Sequence, residues 1–473
     1  MGGMELIPQA MFDIFALSLP RGLGFGDRPP VGAWGDGHTC GVLTQDVHDR
    51  SLGVLAMRRR VDQVWAVTAE EHGFETLDAA KACLESLLRI GELPEPLPPG
   101  VARRPPLHDL KGRTASEVFD VLRLPSHHVA AWVLNQLYLA LPRPDKHWAA
   151  DCQTKNFHTR IWEAQLLAAF REQGLLVTQP FENPDFRIQN RRGIEAWVEA
   201  VTANPSVPYN HVNSPQSPPP EDRSDLFFGP AAVRFAKTLG NKLDRRYHEL
   251  DHVRGKPFMI ALADFQAPGS MLWSREGLIG YLYGEGAETI ERAGRQVARP
   301  VSAKVLKGPS AFPAGLFCDD AHAELSAVIF SNACSIGKMN RVMVSAGASP
   351  AGLRYTRVGR FFDRTPGAAE GIPFCLDVAS PKYRGLWPQR YEPWSAELEI
   401  FHNPFASHPV PFDLLPEATH WFDEGGERIC RSFYETSILW SKTYIDDADK
   451  PSRRLEDFLP SDTPTSTGAD VDQ

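Results

Sequence analysis

Residues 257–263 form an unbroken apolar run, Pro257 through Ala263, and no other stretch constrains the fold as tightly. A strand with one wet face alternates apolar and polar residues. A strand apolar throughout is buried on both faces, and such strands belong to sheets covered by helices. Helical patterns do flank this run. Residues 157–173 carry Trp162, Leu166, Ala169 and Phe170 on one stripe, and Gly174 ends the helix. Residues 231–250 read as a second helix. Between the two lie strand candidates at 175–179, 184–188 and 194–201, with a turn at 190–193. The expected order is α-β-β-β-α-β, and the apolar stretch 325–330 offers one strand more.

Around this core the 473 residues imply two or three domains. Residues 1–91 read as a β-rich N-terminal domain, with short apolar runs at 42–43 and 64–67 and a helix at 76–90. Its glycines Gly22, Gly24, Gly26 and Gly37 mark turns; no βαβ pattern follows them, so they make no dinucleotide loop. Residues 92–150 are a proline-rich linker followed by helical segments broken at Pro125. The core is assigned to 151–345, with an exposed proline-rich loop at 204–220. A C-terminal region spans 346–450, and the Asp-, Ser-, Thr- and Pro-rich tail 451–473 is expected to be disordered.

The formal net charge of −9 gives no general attraction to a polyanion, so any nucleic-acid contact has to come from a local basic patch. The seven cysteines include no CxxC pair and are odd in number, as for free thiols in a reducing compartment. No apolar stretch is long enough to span a bilayer, so a soluble, cytoplasmic chain with no membrane partner is expected.

Two acids stand out in the core. Asp185 follows Pro184 at the start of one strand, and Glu199 lies between apolar neighbours in the next, where an unpaired carboxylate is costly. Glu195, on the same strand face, is the rival of Glu199. The element order, the Pro184-Asp185 dipeptide and the Val198-Glu199-Ala200 strand resemble the PD-(D/E)XK, or restriction-endonuclease-like, nuclease superfamily. The resemblance covers about a quarter of the chain. It implies an α/β fold with an αβββαβ core, and Mg²⁺ or Mn²⁺ held by Asp185 and Glu199 for phosphodiester hydrolysis of DNA. It also implies a third ligand, Glu163, on the first helix, and admits a homodimer.

One position departs from the pattern. The lysine that such nucleases carry two residues after the second acid is Val201 here. Lys237 and Lys242 on the following helix are the replacements, and Lys242 is preferred because it adjoins the Leu239–Leu243 stripe; about 140° apart, the two are expected not to face one site. Lys242 would orient or deprotonate the attacking water. Nearby basic residues are Arg187, Arg191, Arg192, Arg234, Arg245 and Arg246. The missing lysine motivates a second expectation, a catalytically silent nuclease fold that binds nucleic acid; an unrelated α/β enzyme with a small substrate is a third.

Other constellations are weaker. His127, His128, His402 and His408 lack zinc spacing, residues 397–404 lack the second half of an HNH site, and no G-x-S-x-G is present. The basic stretch from Lys338 to Arg341 is expected at the rim of the core, within reach of a ligand.

Overall fold

The computed structural model describes residues 6–8, 12–13, 28–35, 38–89, 94–205, 215–292, 295–308, 312–365, 368 and 371–458. Gly22, Gly24, Gly26 and Gly37, most of the proline loop (206–214) and the tail from 459 onward lie outside the described residues.

The N-terminal segment forms a four-stranded antiparallel sheet of β1 (Pro30–Gly35), β2 (Thr39–Gln45), β3 (Leu52–Arg59) and β4 (Trp65–Phe74), in that order. Helix α1 (Leu77–Arg89) covers it with Ala80, Leu84 and Leu88, packed on Leu43, Val54 and Ala56. A helical layer follows: α2 (Glu117–Leu122), α3 (His128–Ala140), α4 (Trp148–Thr154) and α5 (Phe157–Glu172). Pro125 separates α2 from α3 through one 3₁₀ turn, where the sequence placed the break.

The central layer is a mixed eight-stranded sheet. It begins with β5 (Leu176–Thr178), β6 (Phe186–Gln189) and β7 (Glu195–Ala203), an antiparallel meander. Helices α6 (Arg223–Phe228) and α7 (Pro230–Leu243) then cross over to β8 (Phe258–Asp264), which runs parallel to β7. The observed order from α5 is thus helix, three strands, helices, strand. Helix α7 starts one residue early, on Pro230, and stops at Leu243, with a 3₁₀ turn at Tyr247–Glu249 replacing its expected last turn.

Beyond β8 the chain forms α8 (Arg275–Tyr283) and a hairpin of β9 (Glu285–Arg292) and β10 (Arg295–Ser302). Strand β11 (Ala327–Ser331) joins the sheet parallel to β8, and α9 (Ile336–Ser345) follows. A three-stranded sheet comprises β12 (Leu353–Phe361), β13 (Ile372–Asp377) and, last in the chain, β17 (Ile438–Asp447). Between β13 and β17 lie α10 (Pro381–Arg384), β14 (Glu399–His402), β15 (Thr419–Glu424) and β16 (Glu427–Ser432).

These last strands change the expected division of the chain. β14, β15 and β16 extend the central sheet, whose order is β16-β15-β14-β11-β8-β7-β6-β5. The region 346–450 is therefore no separate extension of a core ending at 345. The sheet is covered on both sides. Ala196, Val198, Ala200, Met259, Ala261 and Ile329 face the layer of α3, α5 and α9, while Trp197, Phe258, Ile260, Leu262 and Phe330 face α6, α7 and α8. Residues 451–458, within the segment expected to be disordered, make contacts: Arg453 pairs with Asp446 at 2.6 Å and Phe458 meets the Tyr444 ring at 5.1 Å.

Candidate active site

Register places the two acids. β6 and β7 pair Phe186 with Val198 and Arg187 with Trp197, and Asp185, the residue just before β6, lies beside the Glu199–Ala200 stretch of β7. Asp185 fixes itself there: its Oδ2 accepts the backbone N–H of Ala200 at 2.7 Å. The face of β7 that carries Glu199 looks onto α7, and Lys242 reaches from α7 to bond Glu199 Oε1. The helix that follows the strand thus supplies the lysine that Val201 does not.

Glu199 is only 2% exposed, and its Oε2 is buried with no hydrogen-bond partner. Half the carboxylate is therefore neutralised and half is not, a costly state for a buried anion. Burial first, then the charges of Glu199 and Glu163, raise the Asp185 pKa well above the carboxylate range. For Lys242 burial opposes the charged form, but Glu199, backed by Tyr247 and Asp185, holds its pKa above the ordinary lysine value. Lys242 therefore stays protonated at neutral pH. As a cation it can orient a ligand or neutralise charge.

Glu163 stands differently. It is buried on α5, where Oε2 accepts Trp148 Nε1 at 2.7 Å and Oε1 accepts Arg160 Nη1 at 2.9 Å. Arg160 is held in turn by Asp151 at 2.9 Å. Burial pushes the Glu163 pKa up to about 7 against the pull of Arg160 and Trp148. The charges of Glu199 and Asp185 reach it, but its oxygens are already engaged. Among the described residues no three His, Cys, Asp or Glu side chains are disposed to hold a metal ion together. The atoms that suit a cation are the orphaned Glu199 Oε2 and the Asp185 carboxylate beside it, and Mg²⁺ needs only one or two carboxylates when waters complete its shell.

Glu195, the rival acid, is accounted for by its neighbours: Arg187 bonds it at 2.7 Å through Nε, and Lys256 pairs with it from the start of β8.

A polar cleft of about 450 Å³ opens beside the pair. One wall is α7, whose Arg234, Lys237, Thr238, Asn241 and Lys242 recur at steps of three and four, with Arg245 just past its end. Such a stripe is one helix face. Lys237 and Lys242 therefore line the same cleft, contrary to the expectation from their angular separation. The stripe is two residues wide, and lysine stems are long enough to converge from adjacent rows. Val201, Thr202 and Asn204 form the end of β7 here, and Asn183 and Tyr247 close the sides. Of the other basic residues, Arg192 pairs with Asp413 at 3.3 Å, and Arg246 with Glu249. Only Arg234 and Arg245 of that group line the cleft.

The basic stretch from Lys338 to Arg341 is not at a rim. Both side chains are buried in α9, where Lys338 and Arg341 meet Glu392 at 2.9 and 3.0 Å. The sequence also missed Trp148 and Arg160 as holders of Glu163. Arg160, one helical turn before it, was the available signal.

No helix among the described residues is long and apolar enough to cross a membrane. Compared with known proteins, the chain matches no protein-family model, no curated protein and no solved structure.

Proposed function

We propose that the chain is a metal-dependent phosphodiesterase acting on DNA, a divergent member of the PD-(D/E)XK nucleases with a restriction-endonuclease-like core. One observation carries the reading: Asp185, bonded to the backbone of Ala200, and its neighbour Glu199, with a buried oxygen unpartnered, meet Lys242 beside a cleft walled by basic residues.

Mg²⁺ or Mn²⁺, when bound, would polarise the scissile phosphate and supply an acidified water. Asp185 and Glu199 would hold the ion, since both present carboxylate oxygens from neighbouring strands. Lys242 stays charged, so its part is to orient the nucleophile and offset the charge that builds on the phosphate. Arg234, Lys237 and Arg245 grip the strand through its phosphates, which carry affinity and no sequence information. Glu163 acts one layer back: held by Arg160 and Trp148, it tunes the charge felt by Asp185.

Asp185→Asn tests this. It should lower Mg²⁺- or Mn²⁺-dependent cutting of DNA at least ~10³-fold, the scale of losing a key electrostatic group, while the protein remains folded by circular dichroism. Undiminished cutting by this variant, or no cutting by the wild type with either ion, would remove the nuclease reading.

The Lys242–Glu199 ion pair supports a second reading. A lysine already neutralising the acid can replace the cation, leaving a silent fold that binds nucleic acid. Calorimetry with Mn²⁺ separates the two: the enzyme binds the ion through Glu199, and the silent fold does not.

A further inference from the structure

The cleft is one of three cavities along a single edge of the central sheet. The cleft uses Thr202 and Asn204 at the carboxyl end of β7. A second, of about 350 Å³, uses Asp264 and Phe265 at the carboxyl end of β8, and Asn332 just past β11. A third, of about 830 Å³, shares Asn332 and continues to Glu399. β14 runs antiparallel to β11, so Glu399, its first residue, lies at that same edge. From β7 to β14 is three strand spacings, roughly 14 Å. A few nucleotides of an extended strand cover that distance.

The largest cavity has a lining suited to a nucleotide. Phe412 and Phe422 contribute aromatic rings from one face of β15, with Arg431 over the Phe412 ring, and Phe362 and Trp421 from the other, and Arg364 and Arg431 are exposed lining residues, which puts them at its mouth. Phe412 and Phe422 meet edge to face at 4.8 Å, and Phe362 meets Trp421 at 6.2 Å. Trp421 is fixed through Nε1, which donates to Glu399 at 2.7 Å. Arg275 clamps the same carboxylate at 2.6 and 2.5 Å, so Glu399 offers no net repulsion. Glu397, also in the wall, is bound by Arg357 and Lys338. Glu424 remains as an acid against Arg364 and Arg431. The balance favours an anion at the mouth and a flat ring inside.

We propose that this cavity holds one unpaired nucleotide of a nucleic-acid strand, its base against the Phe412 and Phe422 rings and its phosphate on Arg364 and Arg431. The identity of the strand, as the DNA that enters the cleft lined by Lys237 and Lys242, rests on the nuclease reading. The pairing of rings with cations that recognises it is that of single-strand binding surfaces, where stacking tolerates every base.

The test uses the full chain, without divalent ion, and a fluorescently labelled thymidine dodecanucleotide followed by anisotropy. The double variant R364A/R431A changes exposed residues, and circular dichroism checks that the fold survives loss of the Arg364 bond to the Tyr434 carbonyl. It should weaken binding about 10-fold and flatten the slope of log K against log salt by about 0.7, the value for one single-strand phosphate contact. A second variant, F422L, keeps the volume apolar and should weaken binding with the salt slope unchanged. Unaltered affinity in both would overturn the proposal. So would thymidine monophosphate competing as strongly as the oligonucleotide, because the ligand would then be a free nucleotide and not a strand. Failure of the nuclease reading looks different: Asp185→Asn and wild type would cut equally, while the dependence of binding on Arg364 and Arg431 would persist and still support the cavity.

Discussion

Glu392 and Glu397 are met by three cations, Lys338, Arg341 and Arg357, whereas Asp185 and Glu199 are met by one, Lys242. Both clusters are buried charge beside the same sheet, yet their electrostatics run opposite ways. Burial pushes Glu392 and Glu397 up, but the surrounding cations outweigh it and hold both below the ordinary carboxylate value. In the Asp185 cluster burial wins, and the neighbouring acids add to it. Every member of the first cluster has its partner, with Tyr383 and Thr443 completing it. The second leaves Glu199 Oε2 empty-handed. A satisfied network ties α9 and β12 to the segment before β14. An unsatisfied one leaves a buried carboxylate oxygen without a partner, at a cost in stability. Perturbed acids near a cleft are candidates for function on that ground.

The largest effect should come from breaking the satisfied cluster. Glu392→Ala strips a fully buried acid from Lys338, Arg341 and Arg357 and leaves three cations facing Glu397 alone. Removing one partner of such a pair costs about 3–5 kcal/mol, read as a lower urea midpoint at constant slope. A loss under 1 kcal/mol would show that the cluster is not what holds these elements together.

The unsatisfied cluster should respond to pH with a definite sign. Glu163 has a folded pKa of about 7 against an ordinary 4.5. Its contribution to stability is complete below pH 4.5 and is lost as pH rises through 7. Glu163→Gln keeps an acceptor for Trp148 and carries no charge. Relative to wild type it should therefore gain up to about 3 kcal/mol between pH 4.5 and pH 8, less what the Arg160 contact is worth. Parallel stability curves for the two proteins over that window would contradict the assignment.

Cation binding should reverse part of the same cost. At an ion concentration 100-fold above Kd, Mn²⁺ should stabilise the wild type by about 2.7 kcal/mol. The gain should be greater at pH 8 than at pH 6, because the raised pKa of Asp185 makes a proton the competitor of the ion. Differential scanning fluorimetry reads the shift, which should vanish in Asp185→Asn.

How much of this could be read from the chain follows from how far apart partners lie. The helix–strand order of the core depends on local periodicity, and residues 157–264 declare most of it, though the second helix stops at Leu243 instead of 250 and the short helix Arg223–Phe228 before it was not expected. The adjacency of Asp185 to the Glu199–Ala200 stretch was legible too, because a short meander leaves little choice of register. β14 to β16 were not legible as part of the sheet: β14 pairs with β11 some seventy residues earlier, and no local pattern names that partner. The same holds for Lys338 and Arg341, whose acids lie 51 to 59 residues ahead. Read locally, a basic stretch is a wet surface; only the fold makes it a buried network.

The two lysines of α7 give the finest division within the cleft, and the smallest expected effect. Lys242 touches Glu199, while Lys237 lies one row over, 5.5 Å from the Phe312 ring. If the inner lysine serves the chemistry and the outer one the grip, substitution should separate rate from affinity. Lys242→Met should abolish cutting even at saturating DNA, because it also leaves Glu199 buried without a partner. Lys237→Ala should leave the saturated rate unchanged. It should raise the DNA concentration needed for half-maximal rate, and flatten the salt dependence of binding by the ~0.9 expected for one duplex phosphate contact. A fall in saturated rate on losing Lys237 would move that residue from the wall of the cleft into its chemistry, and the two-row stripe on α7 would then have to act as one unit.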